Sequence, residues 1–550
     1  MLKLFAVGVL MSGQLACYAA SSTADYVLPH ATEPLHVGKA IAGDIKAGEL
    51  RPLVLTTQAG HVVQGTFTGD DVALDVVDKQ GKHLRRLAFG DGLRKPIMWV
   101  ATADAESLVL RAPAQKTGSF ELIVSRSLPP VAPVLNDMRS ASEPELLSPR
   151  LIALKQSLTL GATTDEFWRT IQQEGTPLVE PIDEKRSRIT FLWRGARDNV
   201  RLFGAPSGNH ESLFQLGDSD VWWRSFEVSN ETRLSYRLAP DVPAIAGSAM
   251  DNRRMILATA QRDPLNPRRF PESDKVNVDV FQGSSVVTLP SAPEQLWVEK
   301  RPSVSSGTLT RTRFQSAILN NDRDVWTYVP AGQRPSALLV LFDANAYLER
   351  VPTPRIIDNL ISDGLIPSTA VVLIENASPE ARGRELPPND AFATFLNKEL
   401  MPWIVDQGLG QPAATTIVAG SSYGGLAAAY AGLTNASWFG GVLSLSGSYW
   451  WGKEKGEPQW LTHRYAQAPR KDVRFYIDAG RYEVGRGETP GIFETSQLFA
   501  DTLRRKGYDV VQAKHDSAHD YLHWQGSLAC GLVALLNPVA WESLGACSRV

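Results

Sequence analysis

The chain has 550 residues, too many for one hydrophobic core, so we expect two to four domains. Charged residues make up 21% of the chain, which is ordinary for a folded globular protein and argues against extended disorder. The formal net charge of -3 at pH 7 excludes a general attraction to nucleic acid, so an anionic ligand would need a local basic pocket.

The chain begins MLKLFAVGVLMSGQLACYAASSTADY. One lysine precedes a short apolar run, and small residues follow at Ala19 and Ala20, which is the pattern of a secretory signal peptide spanning residues 1–20. The run is too short to cross a bilayer, and no later apolar run reaches about 18 residues. Residues 15–17 could form a lipoprotein cleavage site, but Gln14 fits that motif poorly. We therefore expect export, to the periplasm, with lipid anchoring as the weaker alternative.

Three cysteines occur in the sequence, and Cys17 would leave with the signal peptide. In an oxidising compartment the remaining pair, Cys530 and Cys547, is expected to form a disulfide. Closing a loop of that length stabilises the fold by about 3 kcal/mol; two buried thiols are the alternative. No Cys or His pattern has the spacing of a structural zinc site, and we predict no metal site.

Residues 34–126 consist of short strand-like runs separated by Gly and Asp, as in PLVLTTQAGHVVQGTFTGDDVALDVVDKQG. This alternation predicts a β-sandwich, assigned to residues 21–130. It resembles the pre-peptidase C-terminal type of bacterial secreted domain. His61 and His83 have no partner at ligand spacing and are expected to be surface residues.

A proline-rich stretch, LPPVAPVLND, marks a domain boundary. The segment SPRLIALKQSLTL then predicts a helix with Ser148 as N-cap and Pro149 in its first turn. We assign residues 131–163 to a linker that contains this helix. Alternating strand patterns continue through VWWRSFEVSN and TRLSYRLAP, so residues 164–292 are expected to form a second all-β, sandwich-like domain.

The remaining residues, 293–550, show a different pattern. Continuous apolar runs such as SALLVLFDANAYLE, PSTAVVLIENAS and FGGVLSLSGSYWW alternate with helical patterns. Strands that are apolar on both faces and alternate with helices indicate a parallel sheet covered on both sides. The C-terminal domain is therefore predicted to be α/β.

The motif Gly420-x-Ser422-x-Gly424 follows one of these strands and precedes a helical pattern. That placement is the context of a nucleophile elbow, in which a sharp turn presents a serine hydroxyl at the edge of the sheet. The N-terminus of the following helix favours developing negative charge. Ser422 is the predicted nucleophile, with a plain turn as the alternative, and Ser421 is expected only to shape the turn.

A serine nucleophile needs a base, and this architecture orders its triad as serine, acid, histidine. The base belongs on a loop between the last strand and the last helix, within YDVVQAKHDSAHDYLHWQGSLACGLVALL. His519 lies in that loop and is the predicted base. His515, at the strand end, is the alternative, and His523 is expected on the helix, either packing or lining the mouth of the site.

The acid should follow the preceding strand, VRFYIDAG. Glu483 lies just past the end of that strand and is predicted to orient His519, whereas Asp478 lies inside the strand and is expected to be structural. Two backbone N–H groups should form the oxyanion hole, one from Tyr423 and the other from Ala344. Asn345 is as well explained as a turn residue as by a ligand contact.

These motifs and others resemble the enterochelin (enterobactin) esterase family. The esterase half is matched by LFDANAY, GSSYGG, AGRYE, HDYLHW and RGRELPPNDAFATFLNKELMPWI, and the all-β half by FWRTIQQEGTPLVEP, ITFLWR, DVWWRSF and DPLNP. The matches cover residues 165–545 in order. The resemblance implies an esterase-D-like α/β-hydrolase preceded by an Ig-like domain. The first domain and the signal peptide depart from the family's usual cytoplasmic members.

The resemblance further implies hydrolysis of the ester bonds of a tris-catecholate trilactone siderophore. Its ferric complex is anionic, so basic residues on the loops facing Ser422 are candidates for binding it, with solvated surface charge as the alternative. Trp450, Trp451 and Trp524 could stack on catechol rings, or pack in the core or rim. The basic candidates are Arg382, Arg384, Arg481 and Arg486.

The sequence therefore predicts an exported serine esterase that acts on a small molecule, with no resident cofactor because iron would arrive with the substrate. The alternatives are an esterase for feruloyl or carbohydrate esters, and a binding protein on an inactive hydrolase fold. The family-like all-β segment argues against the first alternative, and the intact Ser422, Glu483 and His519 argue against the second.

Overall fold

A computed structural model describes Tyr26 and residues 33–102, 105–130, 144–207, 210–244, 249–272, 279–454, 456–485, 487, 489–545 and 547. The predicted signal peptide with Cys17, and Arg486, lie outside the described residues. The chain divides into two compact units, one drawn from residues 1–131 and 273–282 and the other from 132–272 and 283–550. Among the described residues, every helix is too short or too polar to cross a membrane.

The first unit contains one seven-stranded sheet, with strand order β1-β3-β6-β4-β7-β2 and β5 paired to β4. Strand β4 pairs with β7 through its first half and with β6 through its second half, and bulges bend it between the two. The all-β prediction is confirmed, but the long bent strand joins what was expected to be two sheets. The strands are β1 Glu33–Leu35, β2 Ala40–Ile45, β3 Leu50–Thr56, β4 Val62–Val77, β5 His83–Val100, β6 Ala105–Arg111 and β7 Gly118–Leu128.

One charged cluster is buried in this unit, and it corrects the prediction for His83. Asp75 is fully buried and accepts two hydrogen bonds from Arg86, at 2.7 and 2.9 Å, and one from Tyr26 at 2.6 Å. His83 is buried beside it, with Nε2 3.5 Å from Asp75 Oδ1. The sequence placed His83 on the surface because its carboxylate partner lies on the neighbouring strand. His61 is half-buried and contacts Ser127.

The second unit begins with the predicted helix, in which Ser148 Oγ caps Leu151 N and Pro149 occupies the first turn. A β-rich region follows, with one sheet ordered β11-β10-β14-β16-β15 and another ordered β12-β13-β9-β8. Its elements are α1 Pro149–Thr159, α2 Asp165–Glu174, β8 Leu178–Pro181, β9 Arg186–Arg194, β10 Val200–Phe203, β11 Glu211–Ser212, β12 Phe214–Gln215, β13 Val221–Ser229, β14 Arg233–Pro240, α3 Ala249–Thr259, β15 Arg269–Phe270 and β16 Ser284–Thr288.

The same unit ends in an eight-stranded sheet ordered β17-β18-β20-β19-β21-β22-β23-β24. The strands β19 to β24 run parallel to one another, and β17 and β18 form an antiparallel edge in which β18 pairs with β20. Every residue of β19, β20, β21 and β22 is buried, as the continuous apolar runs predicted. The strands are β17 Thr308–Ser316, β18 Asn321–Val329, β19 Ala337–Phe342, β20 Thr369–Ile374, β21 Thr416–Ser421, β22 Gly441–Leu445, β23 Arg474–Gly480 and β24 Val510–His515.

Helices cover both faces of this sheet, and each face has its own apolar core. Helix α9 packs on one face, while α5 and α12 pack on the other. The α/β prediction is confirmed in this respect. The helices are α4 Ala344–Glu349, α5 Thr353–Ser362, α6 Pro379–Glu385, α7 Asp390–Phe395, α8 Met401–Asp406, α9 Tyr423–Thr434, α10 Trp460–Gln467, α11 Ile492–Arg505, α12 Tyr521–Leu536 and α13 Pro538–Ser543.

The predicted disulfide is present: Cys530 on α12 is bonded to Cys547, and both residues are buried. The bond closes a loop with a sequence separation of 17 residues. We expect the Cys530→Ser/Cys547→Ser double variant to lose about 3 kcal/mol of unfolding free energy, because the unfolded chain regains the entropy of the open loop. Urea unfolding of both proteins measures the loss, and peptide mapping without reductant should show the linked pair. Equal stability, or two free thiols, would contradict this.

Candidate active site

Ser422 lies at the sharp turn between β21 and α9. Its backbone has φ 58° and ψ -121°, a region that non-glycine residues rarely adopt and that costs about 1–3 kcal/mol. Ser422 is half-buried, whereas Ser421 is fully buried at the end of the strand. The strained turn thus presents one serine of the pair, and it is the one predicted as nucleophile.

Glycines on either side of Ser422 make this turn possible. A Cβ on Gly420 would lie 2.6 Å from the carbonyl carbon of Gly424, and a Cβ on Gly425 would lie 2.7 Å from Ser444 Oγ. Both distances are too short for real side chains, so the strand and the helix could not approach this closely with larger residues. The small-residue pattern after Ser422 is therefore a packing requirement of the turn itself.

The predicted base and acid are in direct contact. His519 Nδ1 lies 2.6 Å from Glu483 Oε1. The other carboxylate oxygen, Oε2, accepts hydrogen bonds from Ser446 Oγ and from Gly480 N, each at 2.7 Å. Glu483 is buried, whereas 40% of the His519 side chain is exposed. A buried carboxylate that is held on one side and contacts an imidazole on the other fixes the orientation of that ring.

The Ser422 hydroxyl lies 3.3 Å from Ser448 Oγ in this structure. The backbone of the same turn is tied to the end of β22 and the loop after it, since Ser422 N donates to Leu445 O and Ser448 N donates to Ser422 O. Hydrogen bonds between nucleophile and base are often formed only in the substrate complex. Among the described residues, the Ser422 hydroxyl contacts Ser448 and makes no hydrogen bond to His519 in this structure.

The alternative histidines form a separate cluster with Asp478. The closest atoms of His523 and His515 lie 3.5 and 4.0 Å from Asp478 Oδ2, and Asp478 is fully buried. Burial alone would raise the pKa of the Asp478 carboxyl, but His523 and His515 hold it below its ordinary value. Burial lowers the pKa of His515 to about 3, so this imidazole is too weakly basic to be a good candidate for the general base.

The predicted oxyanion donors lie at two helix starts. Tyr423 is the first residue of α9, and Ala344 is the first residue of α4. Asp343, which precedes Ala344, is held in a left-handed conformation with φ 61°. The neighbouring N–H, that of Asn345, donates to Glu375 Oε2, which leaves Ala344 as the proposed second donor.

Two of the predicted substrate-binding residues are engaged inside the protein. Trp524 is 2% exposed, and its Nε1 donates to Ser446 Oγ at 3.0 Å, so its ring has no surface to offer a catechol and the stacking prediction is wrong. Arg382 forms a bidentate salt bridge with Asp343, with N···O distances of 2.7 and 2.9 Å. Burial alone would lower the pKa of Arg382, but the carboxylate of Asp343 raises it. Arg382 therefore holds Asp343, the residue before the proposed oxyanion donor Ala344, in place.

Other candidates are accessible. The Arg481 side chain is 46% exposed and contacts Asp516 at 3.2 Å. Trp450 is 41% exposed, and its ring lies 6.1 Å from that of Tyr423, beside the nucleophile. Arg384 is also exposed, with its guanidinium near Glu385. Trp451 is half-buried and packs against Trp460.

The β-rich region contributes contacts that the sequence did not predict. Ser235, on β14, donates through its hydroxyl to Asp520 Oδ1 at 2.9 Å and through its backbone to Oδ2 at 2.5 Å. Thr232 pairs with the hydroxyl of Tyr482 at 2.6 Å. Asp520 and Tyr482 adjoin His519 and Glu483, so the β-rich region holds both loops that form the pair. The only sequence signal for these contacts is the presence of polar side chains near the start of β14, and the sequence does not indicate which residues they contact.

Two family models match successive parts of the second unit, and both descriptions refer to esterases. Residues 188–298 match the family model described as "Enterochelin esterase, N-terminal", and residues 316–535 match the one described as "Putative esterase". The chain is similar to the iron(III) enterobactin esterase of Dickeya dadantii, with 30% identity over 419 residues, covering 68% of this chain and 94% of the relative. An iron(III) salmochelin esterase of Escherichia coli is 27% identical over 410 residues, covering 70% and 96%.

Solved structures agree with the sequence comparison. The ferric enterobactin esterase from Salmonella typhimurium has a TM-score of 0.56 and 26% identity, covering 68% of this chain and 99% of that one. The enterobactin esterase from Shigella flexneri, crystallised in the presence of enterobactin, has a TM-score of 0.55 and 26% identity, covering 68% and 98%. The similarity thus extends over nearly the whole of each relative.

The geometry makes a sharp prediction for Glu483→Gln. Two donors, Ser446 Oγ and Gly480 N, point at one oxygen, so the amide must place its carbonyl there and its NH₂ toward His519 Nδ1. The imidazole then accepts at Nδ1 and carries its proton at Nε2, which makes it useless as a base. We expect kcat on a p-nitrophenyl ester to fall about 10³–10⁴-fold with the fold intact.

The control for this variant is Asp478→Asn, at the alternative acid. We expect it to cost less activity than Glu483→Gln and to show itself in the thermal midpoint, because Asp478 contacts Ser446 N and not His519. Measuring kcat and the midpoint for both variants decides the assignment. If Asp478→Asn has the larger kcat loss, Asp478 is the acid.

The support from the β-rich region is tested by Ser235→Ala. Removing the hydroxyl takes one donor from the buried Asp520 carboxylate, a loss of about 1–3 kcal/mol if nothing replaces it. We expect a several-fold drop in kcat as the His519 loop loosens. Ser225→Ala is the matched control, since it also loses one hydroxyl contact, with Thr190 at 2.8 Å, in the β-rich region. Equal kcat in the two variants would mean that Ser235 does not position the loop.

Proposed function

This chain belongs to the enterobactin esterase family, and on that premise we propose that it hydrolyses the ester bonds of a cyclic tris-catecholate siderophore such as ferric enterobactin. It is a carboxylic ester hydrolase by family. The observation that carries the proposal is the His519–Glu483 contact at 2.6 Å on the loops beside a strained Ser422 turn. The two catalytic loops and the family match to the β-rich region occur in the same unit.

In the proposed reaction, Ser422 Oγ attacks a lactone carbonyl while His519 Nε2 takes the serine proton. The Nδ1–H of His519 points at Glu483, whose negative charge stabilises the imidazolium that forms. The backbone N–H groups of Tyr423 and Ala344 would receive the oxyanion of the tetrahedral intermediate. His519 then protonates the leaving alkoxide, which opens the ester and leaves an acyl group on Ser422.

A water molecule completes the reaction. His519 removes its proton, the hydroxide attacks the acyl carbonyl, and Ser422 leaves with the proton returned. The three side chains supply nucleophile, base and orienting acid, so the proposed chemistry uses no resident cofactor. Ferric iron belongs to the substrate, and cutting the ring would weaken its chelation.

Accessible aromatic and basic groups support a catecholate substrate. Trp450 and Tyr423 present rings beside the nucleophile, which suits flat catechols. Arg481 lies two residues from Glu483 with its guanidinium partly in solvent, which suits the negative charge of a ferric catecholate complex. These two features, together with the family match of the β-rich region, favour a siderophore over a feruloyl or carbohydrate ester.

The test compares ferric enterobactin, iron-free enterobactin and a feruloyl ester as substrates, with products identified by mass spectrometry. We expect linear dihydroxybenzoyl-serine fragments from enterobactin and a loss of at least about 10³-fold in kcat for Ser422→Ala. Ser421→Ala is the control, because its hydroxyl is buried. Feruloyl ester as the preferred substrate would refute the siderophore proposal, and an inactive Ser421→Ala beside an active Ser422→Ala would refute the nucleophile.

We also propose that the protein works in an oxidising compartment such as the periplasm. The signal-like segment at residues 1–20 and the Cys530–Cys547 bond support this, since disulfides persist mainly outside the reducing cytosol. The proposed setting is one in which a siderophore complex is opened soon after it enters the cell envelope.

A further inference from the structure

A second cluster of chemically active side chains lies on the segments that flank His519 and Glu483. Asp478 at β23, His515 at the end of β24 and His523 on α12 bring three ligand-type atoms within 4.8 Å of one another. The distances from Asp478 Oδ2 are 3.5 Å to His523 Nε2 and 4.0 Å to His515 Nε2. The proposed ester hydrolysis uses none of the three.

Two of these atoms are buried without a hydrogen-bond partner, namely Asp478 Oδ2 and His515 Nε2. The separation of 3.5 Å to His523 Nε2 is too long for a good hydrogen bond. Folded proteins rarely leave a buried carboxylate oxygen and an imidazole nitrogen facing each other unsatisfied, because both lose their contacts with water. A ligand bound between Asp478 Oδ2 and His515 Nε2 would give both atoms a partner.

We infer that Asp478, His515 and His523 bind a divalent transition metal ion such as Zn²⁺. Imidazole nitrogen and carboxylate oxygen bind Zn²⁺ at about 2.0–2.2 Å, which places ligand atoms roughly 3.4 Å apart in tetrahedral geometry. The Asp478–His523 separation is already close to that value, and the Asp478–His515 separation of 4.0 Å would have to shorten by about 0.6 Å. His515 Nε2, which has no hydrogen-bond partner, can offer its lone pair to the ion.

Space for a fourth ligand exists beside the cluster. A cavity of about 50 Å³ is lined by His515, His523 and Ser527, and also by Gln295 and Asp516. Its volume is enough for water, which would complete the coordination shell. Arg233 and Lys514 also line this cavity, and Glu231 and Asp516 offset their charge. Ser527 Oγ lies 2.9 Å from His523 Nε2, so this hydroxyl would have to rotate away when the ion binds.

The position of the cluster assigns it a structural role. His515 and His523 stand at the two ends of the segment that carries His519, and Asp478 anchors the strand before Glu483. Asp478 Oδ1 also accepts from Ser446 N, and Ser446 Oγ holds Glu483. An ion bound here would fix the two ends of the loop that contains His519 relative to β23. It would act on the positions of His519 and Glu483, not on the ester itself.

The spacing of these ligands explains why the sequence predicted no metal site. They lie 37 and 8 residues apart, on two strands and a helix, and they match no compact zinc motif. The inference does not depend on which ester the enzyme hydrolyses.

The test uses the full-length protein, stripped of metal with a chelator that is then removed. Co²⁺ is titrated while its visible absorption is followed, and Zn²⁺ is then added to displace it, because d¹⁰ Zn²⁺ loses no ligand-field energy in tetrahedral coordination. We expect one Co²⁺ per chain, displaced by one Zn²⁺. His515→Gln and His523→Gln should each weaken binding at least about 100-fold, since changes even to outer-shell partners cost about 10–100-fold.

Two controls separate this site from others. His463→Gln, at an exposed histidine on α10, should bind as wild type, and Glu483→Gln should also retain the ion, because the triad is not the ligand set. Asp478→Asn provides a third ligand variant if a histidine variant fails to fold by circular dichroism. Zn²⁺ should also slow amide hydrogen exchange in residues 515–523 of wild type but not of His515→Gln.

The result that would overturn the inference is equally definite. If metal-free wild type shows no saturable binding of Co²⁺ or Zn²⁺, the cluster is a plain Asp–His contact. If binding persists in His515→Gln and is lost in Glu483→Gln, the ion belongs to the catalytic pair and not to this cluster.

Discussion

The site depends on how one buried carboxylate is satisfied. Glu483 is held by Ser446 and Gly480 on one oxygen and contacts His519 on the other. A charge taken out of water must be matched by hydrogen bonds, so the segments that carry these partners have little freedom to move independently. The end of β23, the loop after β22 and the His519 loop are thereby fixed against one another.

The next layer of contacts follows from the same constraint. Ser446 donates to Glu483, so its oxygen is free to accept from the indole of Trp524, and this buries Trp524 under His519 with the two rings 4.8 Å apart, edge to face. A residue that the sequence suggested as a substrate contact is thus a structural support of the acid. Asp343 and Arg382 play an equivalent part at the oxyanion loop, where a two-pronged ion pair holds the residue before Ala344.

Much of this could be predicted from sequence, because the local signals were strong. Continuous apolar runs specify buried parallel strands, and small residues around Ser422 are required by the close approach of strand and helix. The position of Glu483 and His519 after successive strands follows from topology, since parallel strands end at one edge of the sheet. The N-cap Ser148 and the first-turn residue Pro149 were also predicted correctly, because helix capping depends on residues that are close in sequence.

The failures concern contacts between different segments of the chain. His83 contacts Asp75 on the neighbouring strand and Trp524 donates to Ser446 in the loop after β22, and the sequence pattern does not specify either contact. Long strands that bend at bulges made one sheet of an expected sandwich. The support of the catalytic loops by Ser235 and Thr232 joins residues more than 200 positions apart. It ties the β-rich region to the two loops that carry the proposed acid and base.

We propose that Ser422, presented by the strained turn, is the one serine that His519 activates. The most direct measurement is reaction of the native protein with a fluorophosphonate, followed by intact mass and peptide mapping. We expect one adduct per chain, on Ser422, formed far more slowly in a His519→Gln variant. An adduct on Ser421 or Ser448, or equal labelling rates in the two proteins, would contradict it.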